Sequence, residues 1–168
     1  MNYAAIKEMD IANGTGVRVS LFVSGCTRKC KGCFNAEAWD FNAGKPFTRD
    51  TLDHILSILK HDYISGLSIL GGEPLEPRNL EMVELIVFIV RSKFPEKNIW
   101  LYSGYTYDEI MQVSPAILDY IDVLVDGPFI EEEKDISLLF RGSRNQRVID
   151  LKKTRSSGHV ELWRTHGG

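Results

Sequence analysis

The chain repeats one arrangement of apolar and polar positions: a short apolar, β-branched run, then a longer stretch in which apolar residues recur three or four apart. The runs "VRVSLFV" (Val17 to Val23), "GLSIL" (Gly66 to Leu70), "NIWLY" (Asn98 to Tyr102) and "IDVLV" (Ile121 to Val125) predict buried strands. Between the first two, "FTRDTLDHILSILKH" places Leu52, Ile55, Leu56 and Leu59 on one helical face, with Thr48 as N-cap. After the second, "NLEMVELIVFIVRSKFP" predicts a well-buried helix from an Asn79 cap to a stop at Pro95. "TYDE" (Thr106 to Glu109) has the form of a capping box ahead of a short helix through Ile110 and Met111. Beyond Val148 the pattern is poor, and "KKTRSSGHVELWRTHGG" predicts a short strand at best, then a mobile tail.

Strand and helix alternate, which implies an α/β fold with a mostly parallel sheet and ligand sites outside the carboxyl ends of its strands. A chain of 168 residues holds one domain with a real core. It is well short of the ~250 residues of a complete eight-fold barrel. The expectation is therefore a partial, open parallel (βα) barrel over residues 1–151, followed by a tail over 152–168.

Composition narrows the function. Hydrophobic residues at 43% and charged residues at 26% are ordinary for a soluble folded protein. The formal charge of −3 offers no broad basic surface for a phosphate backbone, although Lys152 to Arg164 is locally basic, so no nucleic-acid partner is expected. The longest apolar run, "LIVFIV" (Leu85 to Val90), is far short of the ~20 residues that span a bilayer. "MNYAAIKEMD" lacks the basic-then-apolar order of a signal peptide. No membrane partner and a cytoplasmic location are expected. A reducing compartment keeps clustered thiols free for metal or catalysis.

All three cysteines, Cys26, Cys30 and Cys33, lie in "SGCTRKCKGCFN", in a C-x3-C-x2-C pattern directly after the first predicted strand. Closely spaced cysteines let a short loop reach several corners of one four-iron cluster, and three of them leave one corner without a protein ligand. An open iron suits a small molecule with an amine and a carboxylate that accepts an electron, and S-adenosylmethionine is such a molecule. The alternative is a structural zinc site with His54, His61, His159 or His166 as fourth ligand, in a non-enzymatic interaction module; the spacing is not a usual one for zinc. "LGGEP" (Leu70 to Pro74) ends the second strand, where two glycines allow close approach and expose N–H groups able to hold a carboxylate. Taken alone it also reads as an ordinary turn.

"CTRKCKGC" resembles the CxxxCxxC signature of the radical S-adenosylmethionine enzymes, whose fold is a full or partial parallel βα barrel. The resemblance implies a [4Fe-4S] cluster on Cys26, Cys30 and Cys33, with Gly32 and Phe34 against the adenine. Phe34 stands where Tyr is common. Gly71, Gly72, Glu73 and Pro74 match the motif that binds the methionyl amino and carboxylate groups in that family, Glu73 being the acidic member near the ammonium. Ser103, in "YSGYT", is a candidate for a ribose hydroxyl, while Asp126, in "VDGPF", reads better as part of a turn.

Finer features, "NGTG" (Asn13 to Gly16), "SGYTYDEI", "DVLVDGPFIEE" and "FRGSRNQRVIDL", resemble the activating proteins of anaerobic, class III ribonucleoside-triphosphate reductases over about residues 1–151. That resemblance implies hydrogen abstraction from a backbone glycine of the large reductase subunit, with reduced flavodoxin as electron donor. The rival within the superfamily is another small radical enzyme, an activase of a different protein or one acting on a small molecule. Phe140 to Arg147 carries three arginines and reads either as docking surface or as a solvated turn.

Overall fold

The alternation of side chains along the central strands divides the interior into two faces, and the division places the site. In the computed structural model, which describes residues 1–164, the strands are β1 (Asn2–Asp10), β2 (Val17–Val23), β3 (Lys45–Pro46), β4 (Ile64–Gly71), β5 (Asn98–Tyr102), β6 (Val123–Asp126) and β7 (Arg147–Asp150). The helices are α1 (Arg49–Leu59), α2 (Pro77–Lys93), α3 (Tyr107–Val113) and α4 (Leu151–Ser157). The strands form one seven-stranded sheet in the order β3-β1-β2-β4-β5-β6-β7. β2, β4, β5 and β6 are parallel. β1, β3 and β7 pair antiparallel at the two sides. The chain is thus α/β, with a sheet parallel in its middle.

One face of the parallel strands, including Val19, Leu21, Leu67, Ile69, Ile99, Leu101 and Leu124, joins a single core with Ile55 and Leu59 of α1 and Val83, Ile86 and Val90 of α2. The four apolar positions expected on the inner stripe of α1 are all buried, and Thr48 caps it as expected. The opposite face carries a smaller cluster of Trp100, Val123 and Val125, packed by Phe140, Val148 and Trp163. It also holds Arg18, which is fully buried. Its guanidinium donates to Ser68 Oγ at 2.8 Å and to the Thr15 and Leu67 carbonyls at 2.9 and 3.0 Å. Burial lowers its pKa to about 10, and the ring of Trp100 lies 5.6 Å away.

Three expectations change. α2 begins at Pro77, with Glu76 in the capping position, because proline is pre-organised for a first turn. Asn79 lies inside that turn, and its amide bonds to the Ser24 and Glu73 carbonyls instead, each at 3.0 Å. The fourth parallel strand starts at Val123 rather than Ile121. Residues 151–157, where the sequence shows no clear periodicity, form α4, capped by Asp150 and closed by Gly158. The chain then returns beside β7: Glu161 O accepts from Asp150 N–H at 2.9 Å, and Trp163 N–H donates to Val148 O at 2.8 Å. The part of the expected tail beyond residue 164 lies outside the described residues. Among the described residues, no helix is long and apolar enough to cross a membrane.

Candidate functional site

The carboxyl ends of β2, β4 and β5 open into one cavity of about 480 Å³. Cys26, Cys30 and Cys33 line it from the loop after β2, and Gly71, Gly72 and Glu73 from the end of β4. Ser103 faces it from beyond β5, and Phe34 also forms part of its wall. Two segments that are 38 residues apart in sequence at their nearest cysteine and glycine thereby meet, as their positions after neighbouring parallel strands require.

The cysteine loop has little secondary structure and is held by side chains from elsewhere. Glu76 Oε1 accepts from the Thr27 N–H at 2.8 Å and the Thr27 hydroxyl at 2.7 Å. Asn79 holds the Ser24 carbonyl, and the Gly25 and Cys26 N–H groups donate to Ala38 O and Trp39 O at 2.7 and 3.0 Å. Glu76 and Asn79 are functional supports that the sequence reading missed; their place in the first turn after "GGEP" was the available signal. Cys26 is buried, and burial pushes its thiol pKa up, so taking a metal there must release a proton.

Both glycines are required by close backbone packing. Gly71 has φ +125°, and a Cβ there would collide with the Val23 carbonyl. A Cβ on Gly72 would stand 2.5 Å from Gly25 O. The next two N–H groups are not open to a carboxylate, in contrast to the expectation from sequence: Gly72 N–H donates to Val23 O at 2.9 Å and Glu73 N–H to Gly25 O at 2.7 Å. They tie the second motif to the cysteine loop.

Glu73 is buried and fully engaged. Its Oε2 accepts from Ser103 Oγ at 2.8 Å and Leu75 N–H at 3.0 Å, and its Oε1 from Gly104 N–H at 2.6 Å. Burial pushes its pKa up while these donors and the nearby Arg28 pull it down. Ser103 donates to Glu73 and accepts from Tyr105 N–H at 3.0 Å, so its proton is already used. Arg28, not singled out from sequence, lines the cavity with its guanidinium 4.5 Å from the centre of the Tyr105 ring.

Two predicted residues do not reach the cavity wall. Gly32 is exposed, with its α-carbon turned to the Glu131 side chain. Pro74 is buried behind the loop. Phe34 is 57% exposed and packs edge-on against Phe129 at 5.2 Å. Asp126 is structural: it accepts from Tyr107 N–H at 2.8 Å and pairs with Arg147 at 2.7 Å.

The donor set at the cavity is three thiols from one short loop. Among the described residues, no three His, Cys, Asp or Glu side chains gather as they would around one metal ion. All three cysteines border one cavity, and thiolates are the donors that iron–sulfur clusters take. Among the described residues, none of the histidines considered as zinc ligands lines the cavity. His54 bonds Glu8 at 2.7 Å, His61 stacks on Tyr63 at 5.2 Å and His159 bonds Glu161 at 2.7 Å. His166 lies outside the described residues.

A family model described as "4Fe-4S single cluster domain" matches residues 12–149. The chain is 46% identical over 150 residues to an anaerobic ribonucleoside-triphosphate reductase-activating protein of Vibrio cholerae, covering 88% of this chain and 97% of that one. It is 43% identical over 154 residues to the protein of that name from Escherichia coli K12, covering 90% and 100%. The protein of that name from enterobacteria phage T4 is 44% identical over 148 residues, covering 88% and 93%.

Proposed function

Since the chain belongs to the family of anaerobic ribonucleoside-triphosphate reductase-activating proteins, with the 4Fe-4S single cluster domain, we propose that it activates such a reductase by radical chemistry in the cavity at the ends of β2, β4 and β5. The observation that carries this reading is the meeting of Cys26, Cys30 and Cys33 with Gly71, Gly72 and Glu73 around one cavity. A [4Fe-4S] cluster and S-adenosylmethionine held there would supply the one-electron radical chemistry by which a backbone glycine of the reductase would lose hydrogen and become a glycyl radical.

The chain's own residues hold and orient. Cys26, Cys30 and Cys33 would hold the cluster as thiolates, and three protein ligands would leave room on it for the amino acid end of S-adenosylmethionine. Gly71 and Gly72 would hold the second motif tightly against the cysteine loop, and Glu73, fixed by Ser103 and Gly104, would set negative charge beside the ammonium. Pro74 closes the motif from behind. Phe34 meets the adenine from the cavity wall, with Gly32 shaping the turn before it. Ser103, whose proton is held by Glu73, would meet a ribose hydroxyl only as an acceptor. The parallel sheet with antiparallel flanks is read as the open, partial barrel of the radical S-adenosylmethionine type, its open side admitting the large reductase subunit. A reducing cytoplasm and a donor such as reduced flavodoxin fit this chemistry.

The test is electron paramagnetic resonance on the purified reductase, mixed anaerobically with the reconstituted protein, S-adenosylmethionine and reduced flavodoxin. A glycyl-radical signal that requires all components is expected; its absence with a fully loaded cluster overturns the reading.

A further inference from the structure

The function proposed above makes the substrate a glycine within a protein chain, so a peptide unit has to enter the cavity. A backbone carbonyl taken out of water needs a donor, since leaving one unpaired is strongly unfavourable. The polar groups of the wall are mostly committed. The Gln146 amide donates to Gly127 O at 3.1 Å, and its Oε1 accepts from the Gly142 and Ser143 N–H groups at 2.9 and 3.2 Å. Asn13 donates to Asp10 at 2.6 Å, and Ser103 is taken by Glu73.

Among the described residues, three side chains of the wall keep a buried donor without a partner: Arg28 Nε, Trp39 Nε1 and Tyr102 Oη. Arg28 and Trp39 belong to the metal end of the cavity. Arg28 stands between two of the cysteines, and the Trp39 carbonyl accepts from Cys26 N–H. Tyr102 is placed differently. It comes from β5, two strands from β2 in the sheet, which at a strand spacing of roughly 4.8 Å is about 10 Å away. It lies on the inner face with Trp100, one residue before the strand-end layer that holds Ser103 and Gly104. Phe22, Leu70 and Val125 share that wall and offer no competing side-chain acceptor. Arg18, deeper on the same face, is already bonded to Ser68, Thr15 and Leu67.

We propose that the Tyr102 hydroxyl donates a hydrogen bond to a backbone carbonyl of the reductase's glycine-bearing segment, making it a substrate-positioning residue on the β5 wall. The bond fixes the depth to which the segment enters and turns the glycine Cα–H toward the cofactor end. It also satisfies a hydroxyl that is otherwise buried without a partner.

The test compares wild type with Tyr102→Phe, which keeps the ring and removes the donor, and Tyr102→Trp, which places an indole N–H on the same wall. Iron content and cluster spectrum report loading for each protein. The reductase concentration for half-maximal glycyl radical is expected to rise about tenfold in Tyr102→Phe, the loss of one buried hydrogen bond. Tyr102→Trp is expected to recover part of that loss. S-adenosylmethionine binding, titrated through the change it makes in the cluster's resonance spectrum, is expected to stay within about twofold of wild type. An equal or larger loss of S-adenosylmethionine binding in Tyr102→Phe would assign the hydroxyl to the cofactor's ribose and overturn the proposal. An unchanged reductase requirement would overturn it as well. A wild-type protein that forms no glycyl radical would instead sink the function of the whole site, which separates the two failures.

Discussion

Glu73 shows how much of the site rests on a single carboxylate. Both oxygens accept hydrogen bonds from Leu75, Ser103 and Gly104, so one side chain joins the end of β4 to the loop after β5. In Glu73→Gln an amide N–H must face one of those N–H or O–H donors. At neutral pH the metal-free protein is expected to lose about 1–3 kcal/mol, measured by urea unfolding, since a buried donor is left unpaired. The pH dependence has a definite sign. The folded carboxyl has a pKa above its ordinary value, so the folded state binds more protons than the unfolded one between those two values, and stability falls as pH rises through that window. The variant is expected to show a shallower fall there, and an identical slope would remove Glu73 as its source. At the cysteine loop, Cys30→Ala is expected to leave an anaerobically reconstituted protein without a stable complement of four irons. Full iron and sulfide content in that variant would contradict the ligand assignment.

Elements whose ends carry a local signal were legible in the sequence; those defined by partners far along the chain were not. α3 has only seven residues, too short to persist alone, and its capping box is complete: Thr106 Oγ1 accepts from Glu109 N–H at 3.3 Å and Glu109 accepts from Thr106 N–H at 3.1 Å. Thr106→Ala is expected to cost ~1 kcal/mol, seen as a fall of roughly 2–4 °C in Tm. No change in Tm would show that packing of Ile110 alone holds the helix. β5 spans the five residues that the apolar run "NIWLY" marks, because a buried parallel strand is apolar throughout. β1 escaped notice since most of "NYAAIKEMD" is exposed or half-exposed and gives no continuous apolar run. α2 misled at its start, since an asparagine that looks like a cap is recruited by carbonyls 55 and 6 residues away.

At the scale of the whole molecule, the cavity's two sources were readable, as two motifs each following a strand, but its far wall was not. That wall includes Phe140, Gln146 and Val125, and it is braced from behind by the return of the chain after α4. Trp163 stacks edge-on against Trp100 at 5.4 Å and Phe140 at 5.7 Å, contacts that no local pattern announces. Trp163→Ala is expected to cost about 2–3 kcal/mol in urea unfolding, below the figure for a fully buried tryptophan because the ring is partly exposed. An unchanged midpoint would mean that the return segment adds nothing to the second cluster.

The bracing of the cysteine loop by Glu76 and Asn79 bears on what happens when oxygen arrives. The bonds to Thr27, Ser24 and Glu73 are made entirely between protein groups, so they survive the destruction of an iron centre. A chain without its metal is then expected to keep the shape of this loop, seen as resistance to proteolysis between Ser24 and Asn35 that matches the loaded protein.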